Sequence, residues 1–424
     1  MKMKDYRKLD REALEALQKE LEVQYRAFAD RKLALNMARG KPSPDLLDTN
    51  MELLHYSGDW KAADATDCRN YGVLEGLPEM RKFFGDVLNI SPERIIIGGN
   101  SSLNLMYDTI ARLMLFGAVG FEPWSKCEKR KFLCPAPGYD RHFAVTQEFG
   151  FELITVPMTE NGPDMDVVEA LVAADSDIKG IWCVPLYSNP QGVCYSDETV
   201  ERLAKMKTAA PDFRIFWDNA YGVHHLYEKI ELADIFAACE AAGNPERVYY
   251  FFSTSKITFP GAGVAMMAAG YAERAAILKH MTIQTIGCDK MNQLRTLAYL
   301  KDAPTLTAQM QKLAALLRPK FEIVANTLQR ELAGTGTAVW TSPRGGYFVS
   351  LDTMPGCAKE TVRLAKEAGV VMTGAGATFP GKNDPADSNI RIAPTYPDCE
   401  ELQTAMELFC VCVKLAAVRK LLAE

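Results

Sequence analysis

The chain has 424 residues, 48% hydrophobic and 24% charged, with no biased tract; one simple core does not fill that length, so two domains are expected. Its 48 basic and 54 acidic residues give a net charge of -6, which argues against a general nucleic-acid or membrane-surface role. The 11 cysteines are scattered, with no CxxC pair, so neither a disulfide framework nor a metal site is expected, and a reducing cytoplasm fits. The start, residues 1–11, is charged and carries no apolar signal core. No apolar run reaches the roughly 18 residues of a membrane helix.

In chain order, residues 5–32 read as an amphipathic helix, with Leu14, Leu17, Leu21 and Phe28 near a 3.6-residue period. An extended stretch, 33–45, follows and ends among Gly40, Pro42 and Pro44. Short apolar runs then alternate with helical patterns: 94–98, 131–134, 151–156, 180–184, 214–218, 248–252 and 262–269. Strands apolar on both faces and separated by helices predict a mostly parallel, seven-stranded sheet covered on two sides, an α/β architecture. A helical stretch over 289–332 leads to strands near 338–340, 346–351 and 389–393 with helices near 359–368 and 398–422. These predict a smaller α+β domain.

In open parallel sheets, ligands bind beyond the carboxyl ends of the strands, so the loops after the apolar runs are where chemistry is sought. Gly98-Gly99-Asn100-Ser101-Ser102 opens a helix and is either an ordinary N-cap or an anion site; it is not the glycine fingerprint of dinucleotide binders. Pro137-Gly138-Tyr139 puts an aromatic at a strand exit, for packing or for stacking on a flat ring. Ser188-Asn189-Pro190-Gln191-Gly192 is a turn first, and in a site its amide would donate to a phenolate-like oxygen. Asp218, in Trp217-Asp218-Asn219-Ala220-Tyr221, ends an apolar strand, where a carboxylate is costly without a partner. It either caps the next element or faces a cationic group. Lys256, in Ser253-Thr254-Ser255-Lys256, lies between a buried strand and a glycine-bearing loop. Burial lowers a lysine's pKa, and the neutral amine is what attacks an aldehyde; the flanking hydroxyls suit a phosphate.

Asn189-Pro190-Gln191-Gly192, Asp218-x-x-Tyr221 and Ser253-x-Ser255-Lys256, in that order, resemble the class I aminotransferases of pyridoxal phosphate (PLP) fold type I. The resemblance spans nearly the whole chain. It includes Tyr71-Gly72-x-x-x-Gly76-Leu77-Pro78-x-Met80-Arg81, Gly345-Gly346-Tyr347-Phe348 and Asn389-Ile390-Arg391-Ile392. The Ser-Thr-Ser-Lys variant with its glycine pair is similar to a divergent subgroup of aspartate aminotransferases.

The resemblance implies a PLP-dependent transfer of an amino group from an L-amino acid, aspartate by subgroup likeness, to 2-oxoglutarate in two half-reactions. It implies that Lys256 carries PLP covalently and moves the reacting proton, that Asp218 pairs with the ring nitrogen, and that Asn189 and Tyr221 hold the ring oxygen. It further implies Tyr139 stacked on the ring, and Gly99, Asn100, Ser101, Ser253 and Ser255 at the phosphate. Tyr71 would reach the phosphate of a neighbouring subunit in a homodimer, and Arg391 would grip the substrate α-carboxylate, with Asn189 and Gly40 beside it. By the same likeness residues 1–60 form an N-terminal helix and arm at the site's mouth, 61–300 the large PLP-binding domain and 301–424 the small domain. Arg39 lies in the mouth segment, either facing solvent or serving a dicarboxylic substrate. One departure stands out: the family's arginine after the lysine is replaced by Gly263. Lys290 is the expected substitute, reaching in from the neighbouring subunit. The same residues also suit a β-lyase or decarboxylase of this fold. A non-catalytic regulatory domain is the remaining alternative, disfavoured because about ninety residues precede the phosphate loop and the family's own N-terminal segment uses them.

Overall fold

The computed structural model describes residues 5–424; the charged residues 1–4, included in the reading of the chain's start, lie outside the described residues. The strands in chain order are β1 (Leu35–Met37), β2 (Ile95–Ile97), β3 (Lys131–Ala136), β4 (Glu152–Thr159), β5 (Gly162–Pro163), β6 (Ile178–Cys183), β7 (Arg214–Asp218), β8 (Val248–Ser253), β9 (Ala265–Ala269), β10 (Ala338–Trp340), β11 (Val349–Thr353), β12 (Val370–Met372) and β13 (Asn389–Ile392). The main sheet runs β2-β9-β8-β7-β6-β3-β4-β5. Its middle, from β8 to β4, is parallel, while β9 runs antiparallel to β8 and β2. The expected mostly parallel α/β sheet is therefore present, corrected from seven strands to an 8-stranded sheet. The addition is β5, a two-residue return that pairs Gly162 with Thr159 and Pro163 with Met158. Two residues are too few to leave a hydrophobic pattern.

Strand period two sorts the core into two layers. Ile215 and Trp217 of β7, with Val248, Tyr250 and Phe252 of β8, pack on one face, against Val200 and Leu203 of the helix Asp197–Lys205 and Ile235 of the helix Ile235–Ala241. Phe216, Tyr249 and Phe251 face the other way, against Leu105, Met106, Ile110 and Leu113 of the helix Ser102–Phe116. Asp218 follows Phe216 by two residues, so alternation points its carboxylate to that second side, at the carboxyl end of the strand.

The helix over 5–32 is Arg11–Ala29, started by Asp10, whose side chain accepts from Ala13 N at 2.8 Å. The stretch 33–45 is not simply extended: β1 pairs in parallel with β12, and Pro44–Asp48 is a short helix. The helical run over 289–332 is two helices, Lys290–Leu300 and Ala303–Leu332. They part at Lys301, whose φ is 53°, and Asp302 caps the second by accepting from Thr305 N at 2.8 Å. The smaller α+β domain carries the sheet β10-β11-β13, with Ala358–Glu367 and Cys399–Ala423 as helices. The strand expected at 346–351 begins at Val349 because Gly346, at φ 79°, turns the chain and sends Tyr347 and Phe348 toward the main sheet. Among the described residues no helix is long and apolar enough to cross a membrane.

Candidate active site

Strands β3, β6, β7 and β8 are parallel neighbours, so their following loops open on one edge. That edge borders a cavity of about 530 Å³ lined by Tyr139, Asn189, Asp218, Tyr221 and Lys256. The other wall comes from Phe348 and Arg391 of the smaller domain and from Arg39 and Gly40. The β1–β12 ladder ends at Met37 opposite Met372, which carries the next residues, Ala38 to Gly40, over the cavity. Thr373 Oγ1 donates to Ala38 O at 2.6 Å and fixes the crossing. At Gly40 a Cβ would fall 2.4 Å from the Phe348 ring, so a side chain here would have to push that ring aside.

Asp218 is 2% exposed. Its Oδ2 accepts from His142 Nε2 at 2.9 Å; a carboxylate oxygen only accepts, so the proton sits on that nitrogen. His142 lies in the helix Asp140–Glu148 and is held flat on Trp182 of β6, ring centres 4.4 Å apart and planes at 10°. The other oxygen, Oδ1, is buried with no hydrogen-bond partner. An orphaned carboxylate oxygen on a cavity wall calls for a donor from a bound group.

Lys256 faces Asp218 across that cavity, its ammonium 4.6 Å from the centre of the Tyr221 ring. Burial lowers its pKa, opposed by the Asp218 charge. Its carbonyl accepts from Tyr347 Oη and from His224 Nε2, both at 3.3 Å. These donors come from different domains, which meet where Gly346 N donates to His224 O at 2.9 Å. Burial, then the Lys256 charge, pulls His224 down to about 3. Burial and the Asp218 charge push the Tyr139 hydroxyl up to about 12, and burial holds that of Tyr221 well above its ordinary value.

The five residues expected at a phosphate gather at the head of the helix Ser102–Phe116. Ser255 Oγ donates to Asn100 O at 2.8 Å, and Ser253 Oγ accepts from Ser255 N at 3.4 Å. Ser101 is the N-cap, its hydroxyl accepting from Asn104 N. Asn100 spends its side-chain amide on the carbonyls of Pro260 and Gly261, at 3.2 and 3.3 Å. At Gly99 nothing lies within 4 Å of where a Cβ would stand. At Gly263 a Cβ would stand 3.1 Å from Ser255 N and 3.2 Å from its Cα. The loop therefore lies against Ser255 where the family has an arginine. Asn292 fastens it, donating to Ala262 O and Gly263 O, and Arg295 in turn donates to Asn292 Oδ1 at 2.7 Å.

Within its own chain Lys290 is already engaged. It is 4% exposed and donates to Asn70 O at 2.7 Å and Gly72 O at 2.9 Å of its own chain. A buried ammonium needs such acceptors; the two carbonyls supply them and tie Lys290 to the turn over residues 70–72. The turn it ties down presents Tyr71, which is 79% exposed and outside this cavity.

Arg391, 7% exposed, lies over the Phe348 ring. Its Nη1 donates to Asp140 Oδ1 at 3.0 Å and to Asn189 Oδ1 at 3.2 Å. Arg39 and Arg141 are exposed at the mouth and make no ion pair among the described residues. The sequence reading passed over His142, Asp140, Arg141 and His224. The first three follow Tyr139 within one helical turn, the only signal that pointed to them.

The model of the family described as aspartate amino-transferase matches residues 9–424. An aspartate aminotransferase of Corynebacterium glutamicum is 47% identical over 412 residues, 96% of this chain and 95% of that one. The crystal structure of an aspartate transaminase from the same species superposes with a TM-score of 0.96 at 46% identity, over 98% of this chain and 99% of the other. The fold extends to the α-aminoadipate aminotransferase of Thermus thermophilus complexed with N-(5'-phosphopyridoxyl)-L-leucine, at a TM-score of 0.74 and 22% identity over 93% of this chain and 95% of that one.

Proposed function

The chain belongs to the aspartate aminotransferase family and is an aminotransferase; on that premise we propose that it uses PLP on Lys256 to move the amino group of aspartate to 2-oxoglutarate. The carrying observation is the orphaned Oδ1 of Asp218, buried and facing the cavity that Lys256 shares. It fits a protonated ring nitrogen. When bound, PLP supplies an electron sink for the pair left on the substrate when a proton departs.

Asp218 keeps that nitrogen protonated by an electrostatic field already in place before reaction. His142 holds Asp218, and Tyr139, Asn189 and Tyr221 bound the ring from the cavity walls. Gly99, Asn100, Ser101, Ser253 and Ser255 offer backbone N–H groups, hydroxyls and a helix N-terminus to the phosphate. Lys256, whose pKa burial lowers, would hold the group and, once the donor's amine has displaced it, would take the proton from the donor's Cα and give it back on the cofactor side. Repeating the steps in reverse with 2-oxoglutarate completes a ping-pong cycle. Arg391 receives the α-carboxylate with its planar fork. The unpaired Arg39 and Arg141 at the mouth suit a second carboxylate, which favours aspartate over alanine. Tyr71, on its anchored turn and away from its own cavity, suits the site of a second copy, which supports a homodimer, and the free cysteines suit a reducing cytoplasm.

Borohydride reduction of the PLP-loaded protein, followed by peptide mapping, tests the cofactor: the label belongs on Lys256 and is absent from Lys256→Ala. A panel of donors with 2-oxoglutarate tests the reaction. Oxo-acid release that needs the acceptor identifies transamination, whereas acceptor-independent release of ammonia or carbon dioxide would mean a lyase or decarboxylase. Equal activity on aspartate and alanine in wild type and Arg39→Ala alike removes the assignment of the donor.

A further inference from the structure

Arg391 meets three acceptors in this cavity, the longest being Thr373 Oγ1 on Nη2 at 3.5 Å, and the two on Nη1 are not equivalent. Asn189 Oδ1, on Nη1 at 3.2 Å, belongs to a buried side chain that stays where it is. Asp140 Oδ1, on the same nitrogen at 3.0 Å, belongs to a side chain 32% exposed to the cavity. Asp140 makes no other side-chain hydrogen bond among the described residues and caps nothing. It is the first residue of the helix Asp140–Glu148, and the N-terminal end of a helix favours an anion. Its carboxylate can turn off the guanidinium into solvent and still be compensated. It thus presents to Arg391 the same chemical group that a substrate presents.

We propose that Asp140 is a built-in competitor for the carboxylate receptor: it occupies Arg391 when no substrate is bound and turns away when an amino or oxo acid enters. This rests on Arg391 being that receptor. Apparent affinity for a carboxylate is then reduced by the fraction of molecules whose receptor is open. In a ping-pong enzyme the receptor must exchange an oxo acid for a second substrate within each cycle, and an internal carboxylate ready to return assists release.

The test is calorimetric titration of the holoenzyme with maleate, a dicarboxylate that cannot react. Asp140→Asn keeps an oxygen for Arg391 but removes the charge; Asp140→Ala removes both. Competition predicts that maleate binds both variants more tightly than wild type, by about tenfold if the receptor is closed about nine-tenths of the time. The gain must vanish when Asp140→Asn is combined with Arg391→Gln, because a remote charge effect would persist there. Unchanged or weaker binding in the two variants overturns the proposal and makes Asp140 a support for Arg391. If Arg391→Gln alone leaves maleate binding unchanged, Arg391 is not the receptor, and its role and that of Asp140 fall together.

Discussion

Asp218 and His142 meet at 2.9 Å through one carboxylate oxygen and leave the second without a partner. His142 is itself pinned on Trp182, so the carboxylate is aimed before anything binds. A buried, half-satisfied anion is costly in the empty protein. The arrangement makes sense as a receptor whose missing partner arrives with the cofactor.

Asp218→Asn preserves shape and removes the charge. Amino transfer is expected to fall by about 100-fold or more, with weaker retention of PLP. Steady-state rates and a fluorescence titration of the apoprotein with PLP measure the two effects. A variant within tenfold of wild type takes Asp218 out of the chemistry.

His142→Ala leaves both oxygens of Asp218 without a protein partner. The apoprotein is expected to lose about 1–3 kcal/mol of stability, read from urea unfolding, and the holoprotein less than that, since one oxygen remains paired by the ring nitrogen. Equal losses in both forms contradict the pairing.

Gly263→Ala puts a methyl 3.1–3.2 Å from the Ser255 backbone. Backbone cannot yield as a flexible side chain does, so overpacking of about 1–3 kcal/mol is expected. The displaced Ser255 hydroxyl should also loosen PLP. Thermal melts with and without PLP check both; a variant as stable as wild type and as tight for PLP shows that the loop has room.

His224 gives the protein a pH dependence. Its ordinary pKa of 6.5 is pulled down to about 3 by burial first and by Lys256 second. Below 6.5 the unfolded chain takes up a proton that the folded one refuses, so this contribution is complete above 6.5 and lost as pH falls toward 3. His224→Asn lacks it. Urea midpoints should therefore drop less steeply in the variant than in wild type between about pH 7 and about pH 4; parallel slopes would show that His224 titrates normally.

Most of the sheet could be read in advance because the central parallel strands β3, β6, β7 and β8 are short runs buried on both faces, each leading to a loop with polar residues. The runs 214–218 and 248–252 match β7 and β8 closely. Where the pattern was weak, the reading slipped. Two-residue β5 and three-residue β1 are too short for periodicity, and β1 is a strand only because residues 370–372 lie beside it. Lys290 shows the same limit for a side chain. Its charge was visible, but its acceptors, Asn70 O and Gly72 O, lie about 220 residues away in the chain.

From its sequence alone this protein declared a parallel α/β sheet and the order in which Asn189, Asp218 and Lys256 follow its strands. Local burial pattern and turn chemistry encode both, and the geometry of parallel strands puts such loops on one edge. Only the folded chain decided that His142 aims Asp218, that Asp140 sits on Arg391, and that Asn292 fastens the Gly263 loop. Those facts are distances between residues remote in sequence, set by how layers pack, and no local pattern contains them.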